Sequence, residues 1–250
     1  MILERLARFN LPKRFGSLAS KSKIAVSDLA TGTDGELVTW DASGDPTVVA
    51  VGASTHVLTS NGAGAAPTFQ APAGAHVLIE AQDISSGQAA VDFESSIDST
   101  YDDYLLIISG CTIVEDDQHL TIVIGTGGTP TYQTGSVYNW AVGAAVAGGA
   151  TVSTNASDTS ICITHQDAGQ ALGNAANESF SGTIYMHRPA DAVFTEFTFN
   201  CGYFRAVDGA YVATHGGGAY VATTAVTALR IIAEGGNIDG GKFALYGIKS

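Results

Sequence analysis

Histidines at positions 56, 76, 119, 165, 187 and 215 are the side chains best suited to bind a metal or move a proton near neutral pH. Their spacing contains neither His-x-x-x-His nor His-Glu-x-x-His, so no zinc site is encoded locally. His56 is the one that copies of the chain would bring together if they shared an axis. Serine chemistry would need a strained Gly-x-Ser-x-Gly elbow, which Gly135-Ser136 and Phe180-Ser181-Gly182 do not supply. Two acidic runs, Glu115-Asp116-Asp117 and Asp102-Asp103, carry oxygens for calcium or paired carboxylates for glycoside cleavage, but acidic turns have the same composition. Gly125-Thr126-Gly127-Gly128-Thr129-Pro130 and His215-Gly216-Gly217-Gly218-Ala219 lack the Lys-Ser/Thr of a phosphate loop and read as long loops. Tyr132, Tyr138, Trp140, Tyr203, Phe204, Tyr211 and Tyr220 fall in these loop-rich regions, where aromatic rings suit recognition of sugars or proteins, with Tyr132, Tyr138, Trp140, Tyr211 and Tyr220 as the expected recognition residues. Filling the core is their competing role. The residues therefore predict no catalytic group, no metal and no cofactor, and a protein that works by binding.

The elements that must position such a surface begin with a repeat. Residues 32 to 69 are written twice, with Thr39 matching Thr59 and Pro46 matching Pro67. Each copy has a glycine-rich lead-in, a short β-prone run, a polar turn and Pro-Thr before an apolar residue, which predicts one turn-strand-turn-strand unit. The apolar content is slight: Leu37, Val38, Trp40 and Val48 in one copy, Val57, Leu58 and Phe69 in the other. Ordering a backbone costs about 1 to 2 kcal/mol per residue, more than so few side chains return. Stacked repeats need about three copies for stability, so two copies point to lateral association with other subunits around a common axis. Leu37, Trp40, Val57, Leu58 and Phe69 are the expected axis residues.

Charge is distributed unevenly. Six of the eleven Lys and Arg lie in the first 24 residues beside a single acid, whereas residues 25 to 187 hold 18 acids and no Lys or Arg. The acidic stretch excludes phosphate-backbone binding along most of the chain, because displacing counterions requires cations. Residues 2 to 11 place Ile2, Leu3, Leu6 and Phe9 on one side of a short helix that Pro12 ends. With Arg5, Arg8, Lys13 and Arg14 this makes a basic amphipathic segment over residues 1–24, read as a docking peptide for a larger assembly. A transit peptide or a membrane-surface helix shares that composition. Cys111, Cys162 and Cys201 do not form a disulfide framework and read as buried small hydrophobes. No run of 18 apolar residues predicts a membrane span, and no secretory signal core is present.

After an Ala/Gly/Pro linker at Gly62 to Ala75, residues 76–250 carry strands of ordinary length, among them His76 to Ala81, Phe180 to His187 and Val193 to Asn200. About eight to ten strands, with no helical run between them, predict an antiparallel β-sandwich of jelly-roll type. The expected fold is thus mainly β: a short N-terminal helix at 1–24, intertwined shaft repeats at 25–75 and a jelly-roll-like head at 76–250.

The repeat pattern Gly-x-x-Gly-x-Leu/Val-x-Thr followed by Pro-Thr-apolar resembles the shaft repeats of tailed-bacteriophage tail fibres and related virion appendages. Tyr101-Asp102-Asp103-Tyr104-Leu105-Leu106-Ile107-Ile108 resembles an early strand of their C-terminal domains. The Gly236-Asn237-Ile238 turn, leading to Leu245-Tyr246-Gly247-Ile248, is similar to their closing hairpin. The resemblance touches about a third of the chain and leaves residues 126 to 225 unmatched. It implies a homotrimer in the virion, joined to other virion proteins through its N-terminus and presenting its head to a host-surface glycan or protein. A capsid-attached head fibre or decoration protein, and a small virion-borne carbohydrate-active enzyme, are the alternatives it leaves.

Overall fold

The computed structural model describes residues 32–54, 56–70, 76–146 and 149–249, and the chain divides into two compact units between Ala73 and Gly74. The expected N-terminal helix, with Leu3, Arg5, Leu6, Arg8, Phe9, Lys13 and Arg14, lies outside the described residues.

The described residues of the first unit form two hairpins, β1 (Leu37–Trp40) with β2 (Pro46–Val49), and β3 (Val57–Thr59) with β4 (Thr68–Gln70). Each turn is closed by a polar side chain. The Asp41 carboxylate accepts from the backbone amides of Ser43 and Asp45 at 2.8 and 2.9 Å, and Gly44 takes a φ of 83° that favours glycine. In the second hairpin the Asn61 amide donates to the Ala66 carbonyl at 2.7 Å while its oxygen accepts from Gln70 at 2.9 Å. Thr39 lies opposite Thr47, and Thr59 opposite Thr68, so the sequence repeat is also a structural one. Half of the stretch read as linker is therefore the turn and second strand of a hairpin.

The second unit contains thirteen strands: β5 (Val77–Ile84), β6 (Val91–Phe93), β7 (Asp103–Ile113), β8 (Leu120–Thr126), β9 (Thr131–Tyr132), β10 (Tyr138–Val146), β11 (Gly149–Asp158), β12 (Ile161–Cys162), β13 (Phe180–His187), β14 (Thr195–Phe204), β15 (Tyr211–Tyr220), β16 (Val226–Ala233) and β17 (Ile238–Ile248). They form an eight-stranded sheet in the order β11-β10-β15-β14-β13-β7-β17-β5 and a five-stranded one in the order β12-β8-β16-β6, with β9 also on β8. Every pairing is antiparallel. One hydrophobic core lies between the sheets, built from alternate residues such as Ile184 and Met186 of β13, Phe197 and Phe199 of β14, and Ile122 and Ile124 of β8. Three buried tyrosines fix loops to it. The Tyr203 hydroxyl accepts from the His165 amide and donates to the Gln170 carbonyl at 2.6 Å, Tyr138 joins Ile124 to Gln133, and Tyr104 grips Asp98 through both backbone groups. Cys111, Cys162 and Cys201 are buried free thiols, and removal from water pushes each up to about 12.

Residues 215–219, expected as a loop, instead form the middle of β15, which pairs with β10 on one side and β14 on the other. Their glycines make room for large neighbours. Trp140, Gly218 and Phe197 form one cross-strand row on the inner face, and Val142, Gly216 and Phe199 form the next. A Cβ at 218 would lie 2.8 Å from an Ile161 methyl and 3.0 Å from the Asn139 carbonyl. The substitution Gly218→Ala should accordingly destabilise the head by about 1 to 3 kcal/mol, read as a lower midpoint in denaturant unfolding with the slope unchanged. An unchanged midpoint would mean that this row has slack.

Candidate functional site

The exposed apolar surface of the first unit is built by alternation on two short hairpins. In β1 and β2, Val38 faces Val48 and Trp40 faces Pro46, and this whole face is open to solvent, Trp40 at 64%. Leu37, Val57 and Leu58 are also exposed, Phe69 is half-buried, and Val49 is the one buried hydrophobic residue among the described residues of this unit. The five expected axis residues thus lie on two hairpins with almost no core beneath them. Grooves run beside these faces, one lined by Thr39, Trp40, Thr47, Gly64 and Pro67, the other by Val48, Val51, Gly52, Pro67 and Phe69.

In the second unit the five expected recognition residues separate. Tyr138, Trp140 and Tyr220 are core residues, fully or almost fully buried. They belong to β10 and β15, whose glycines and alanines conceal strand character but leave the inward alternation intact. Trp140 still satisfies its indole N–H, which donates to Asp158 at 2.9 Å. Tyr132 is half-buried and occupied: the Arg230 guanidinium sits 3.6 Å above its ring, and its hydroxyl donates to Glu94 at 3.0 Å. Asp92 holds Arg230 through two bonds of 2.6 and 2.7 Å and raises its affinity for the proton. This is a clamp between β6, β16 and β9.

Only Tyr211 stands open, at 56% exposure, with Phe204 opposite it in an edge-on contact of 5.4 Å. Its hydroxyl end lies across Gly202, where any Cβ would collide with it, so the ring rests along the outer face of the eight-stranded sheet. Val207, at the adjoining turn, is exposed as well. Gly202 escaped the sequence reading, and although Phe204 and Tyr211 were both read as loop aromatics, a Phe-x-x-x-x-x-x-Tyr spacing carries no signal that pairs them.

Glu115-Asp116-Asp117 lies in the bend that follows β7, and Asp102-Asp103 at the start of β7. Asp116 accepts from the Asn174 amide at 3.1 Å, and Asp117 takes a φ of 58°. Asp102 and Asp103, with Ser99, Tyr101, Arg188 and Asp191, line a cavity of about 360 Å³ at one end of the sandwich. Arg188 holds a φ of 50°, and its backbone N–H is shared by the Asp102 carbonyl and the Asp103 carboxylate. Among the described residues no group of three or more His, Cys, Asp and Glu is placed to hold a metal ion, and no helix is long and apolar enough to cross a membrane.

No protein-family model, curated protein or solved structure matches the chain.

Burial gives the head one histidine with a defined pH response. His119, bonded to the Thr164 hydroxyl at 3.1 Å, is held below the usual imidazole range by desolvation, which outweighs the attraction of Asp117 and is reinforced by His165. The unfolded chain therefore takes the proton first, near 6.5, and the folded state loses stability as pH falls below that value. Thermal melts of the wild type should drop between pH 7 and pH 5, and His119→Gln should flatten that part of the profile. Parallel profiles for the two proteins would remove His119 as the cause.

Proposed function

We propose that the chain is a structural protein of a tailed-phage virion, a trimeric tail fibre whose N-terminal segment docks to the particle and whose shaft projects a β-sandwich head. The observation that carries this is the first unit: two hairpins with apolar side chains on exposed faces and one buried hydrophobic residue between them. Such an element gains stability only when other copies cover it, and three copies wrapped about a common axis would bury Leu37, Trp40, Val57, Leu58 and Phe69 together.

The order of strands in the head supports a jelly roll. The strands β5, β7, β13 and β17 belong to one sheet and β6, β8, β12 and β16 to the other, in the orders β5-β17-β7-β13 and β6-β16-β8-β12. This is the alternation of two Greek keys. On that plan β10, β11, β14 and β15 are additions that extend one sheet, and they carry the exposed Tyr211 and Phe204. We read the head as the part that meets a host surface or a neighbouring subunit, and the basic segment as the contact with other virion proteins. A capsid-attached head fibre shares all these parts and differs only in where the segment docks.

Trp40→Ala and Leu58→Ala should each destabilise the oligomer by about 2 to 5 kcal/mol per subunit while leaving the head's own unfolding transition in the full chain unchanged. Wild-type stability in both variants would mean that neither side chain is covered. Deleting residues 1–23 should leave the oligomer intact and abolish incorporation into particles; loss of the oligomer would instead assign the segment to its core.

A further inference from the structure

We propose that the outer face of β14 and β15 around Tyr211 is a binding platform for a neutral pyranose sugar. This rests on the head being the surface-binding part of the protein, and it names the site and the chemistry. The Tyr211 ring is 56% exposed and its hydroxyl end lies over Gly202, where any larger residue would displace it, so the glycine holds the ring down on the sheet with apolar ring surface open. The C–H face of a pyranose is flat and apolar while its hydroxyls point outward around the rim, so it stacks on such a ring and needs polar partners at the side. Those partners are present. Asn200 and His215 face each other across β14 and β15 on the same outer face, one row beyond Gly202, and both are exposed. The His215 ring in turn lies against Gly143, so a second glycine floors the platform. Phe204 flanks Tyr211 on the other side, with ring centroids 5.4 Å apart and planes at 70°.

Charge selects among sugars. Arg205, which follows Phe204 in the chain, is neutralised by two bonds to Asp208 of 2.6 and 2.7 Å and has a third partner in Gln170. The chain carries a formal charge of −13, so an anionic sugar would meet repulsion. The platform is shallow, which makes one site weak, and repetition on each subunit of an oligomer would convert weak contacts into avid attachment to a polymer.

The test is saturation-transfer NMR on the full chain with methyl α-glucopyranoside, methyl α-galactopyranoside and methyl α-rhamnopyranoside, and with glucuronate as the anionic control. At least one neutral pyranoside should receive transfer on its ring C–H protons, and glucuronate none. Tyr211→Phe should keep the signal. Tyr211→Ala and Gly202→Val should weaken binding about tenfold or more, with the thermal midpoint of Tyr211→Ala unchanged. Absence of transfer to all three neutral sugars, equal transfer in Tyr211→Ala, or equal binding of glucuronate would each overturn the site. The oligomeric mass of the same sample separates the two proposals: a trimer that binds no sugar refutes the platform alone, and a monomer that binds through Tyr211 refutes the fibre alone.

Discussion

Apolar surface left in water costs about 25 cal/mol per Å², and the two units meet that constraint in opposite ways. The head folds two sheets over one another and buries its large side chains, among them Tyr104, Tyr138, Tyr203, Phe93 and Phe243, in a single core. The described residues of the first unit form two hairpins of three- and four-residue strands with a single buried hydrophobic residue. A two-stranded hairpin is marginal in water even when well designed. Its turns are nevertheless well specified, by Asp41 and Gly44 in one hairpin and by Asn61 in the other, so the sequence defines the backbone shape without a core beneath it. The proposed self-association would supply the missing cover.

The head shows what glycine does inside a sheet. In β15 the run 216–218 would weaken an isolated strand, yet here it lets Trp140, Phe197 and Phe199 fill the inner layer from the neighbouring strands. On the outer face, Gly202 and Gly143 let the rings of Tyr211 and His215 lie against the backbone. The same residue type thus deepens the core on one side and flattens the surface on the other. The flat surface carries the exposed rings of Tyr211 and Phe204, and it lies on strands added beyond the alternating eight.

Local pattern made the hairpins and the strongly alternating strands readable. Phe180 to His187 was expected as a strand and is one, because apolar Ile184 and Met186 alternate with Thr183, Tyr185 and His187. β10, β11 and β15 were not readable, since Gly, Ala and Thr give no contrast between the two faces and the decisive large side chains sit on other strands. Tyr138, Trp140 and Tyr220 were misplaced for the same reason: their neighbours resemble loop residues, and only pairing across the sheet turns them inward. Tyr211 was legible as an aromatic in a permissive region, but its partners Gly202 and Phe204 depend on the register of β14 with β15, which no single stretch encodes. The strand order is likewise a product of long-range pairing.

The mass of the full chain in solution, measured by light scattering across a range of concentrations, tests the shared-axis account most directly. The account predicts a value near three times 25.6 kDa that does not change on dilution. A concentration-independent mass of one chain would contradict it, because the exposed faces at Trp40 and Leu58 would then remain in water without any copy to cover them.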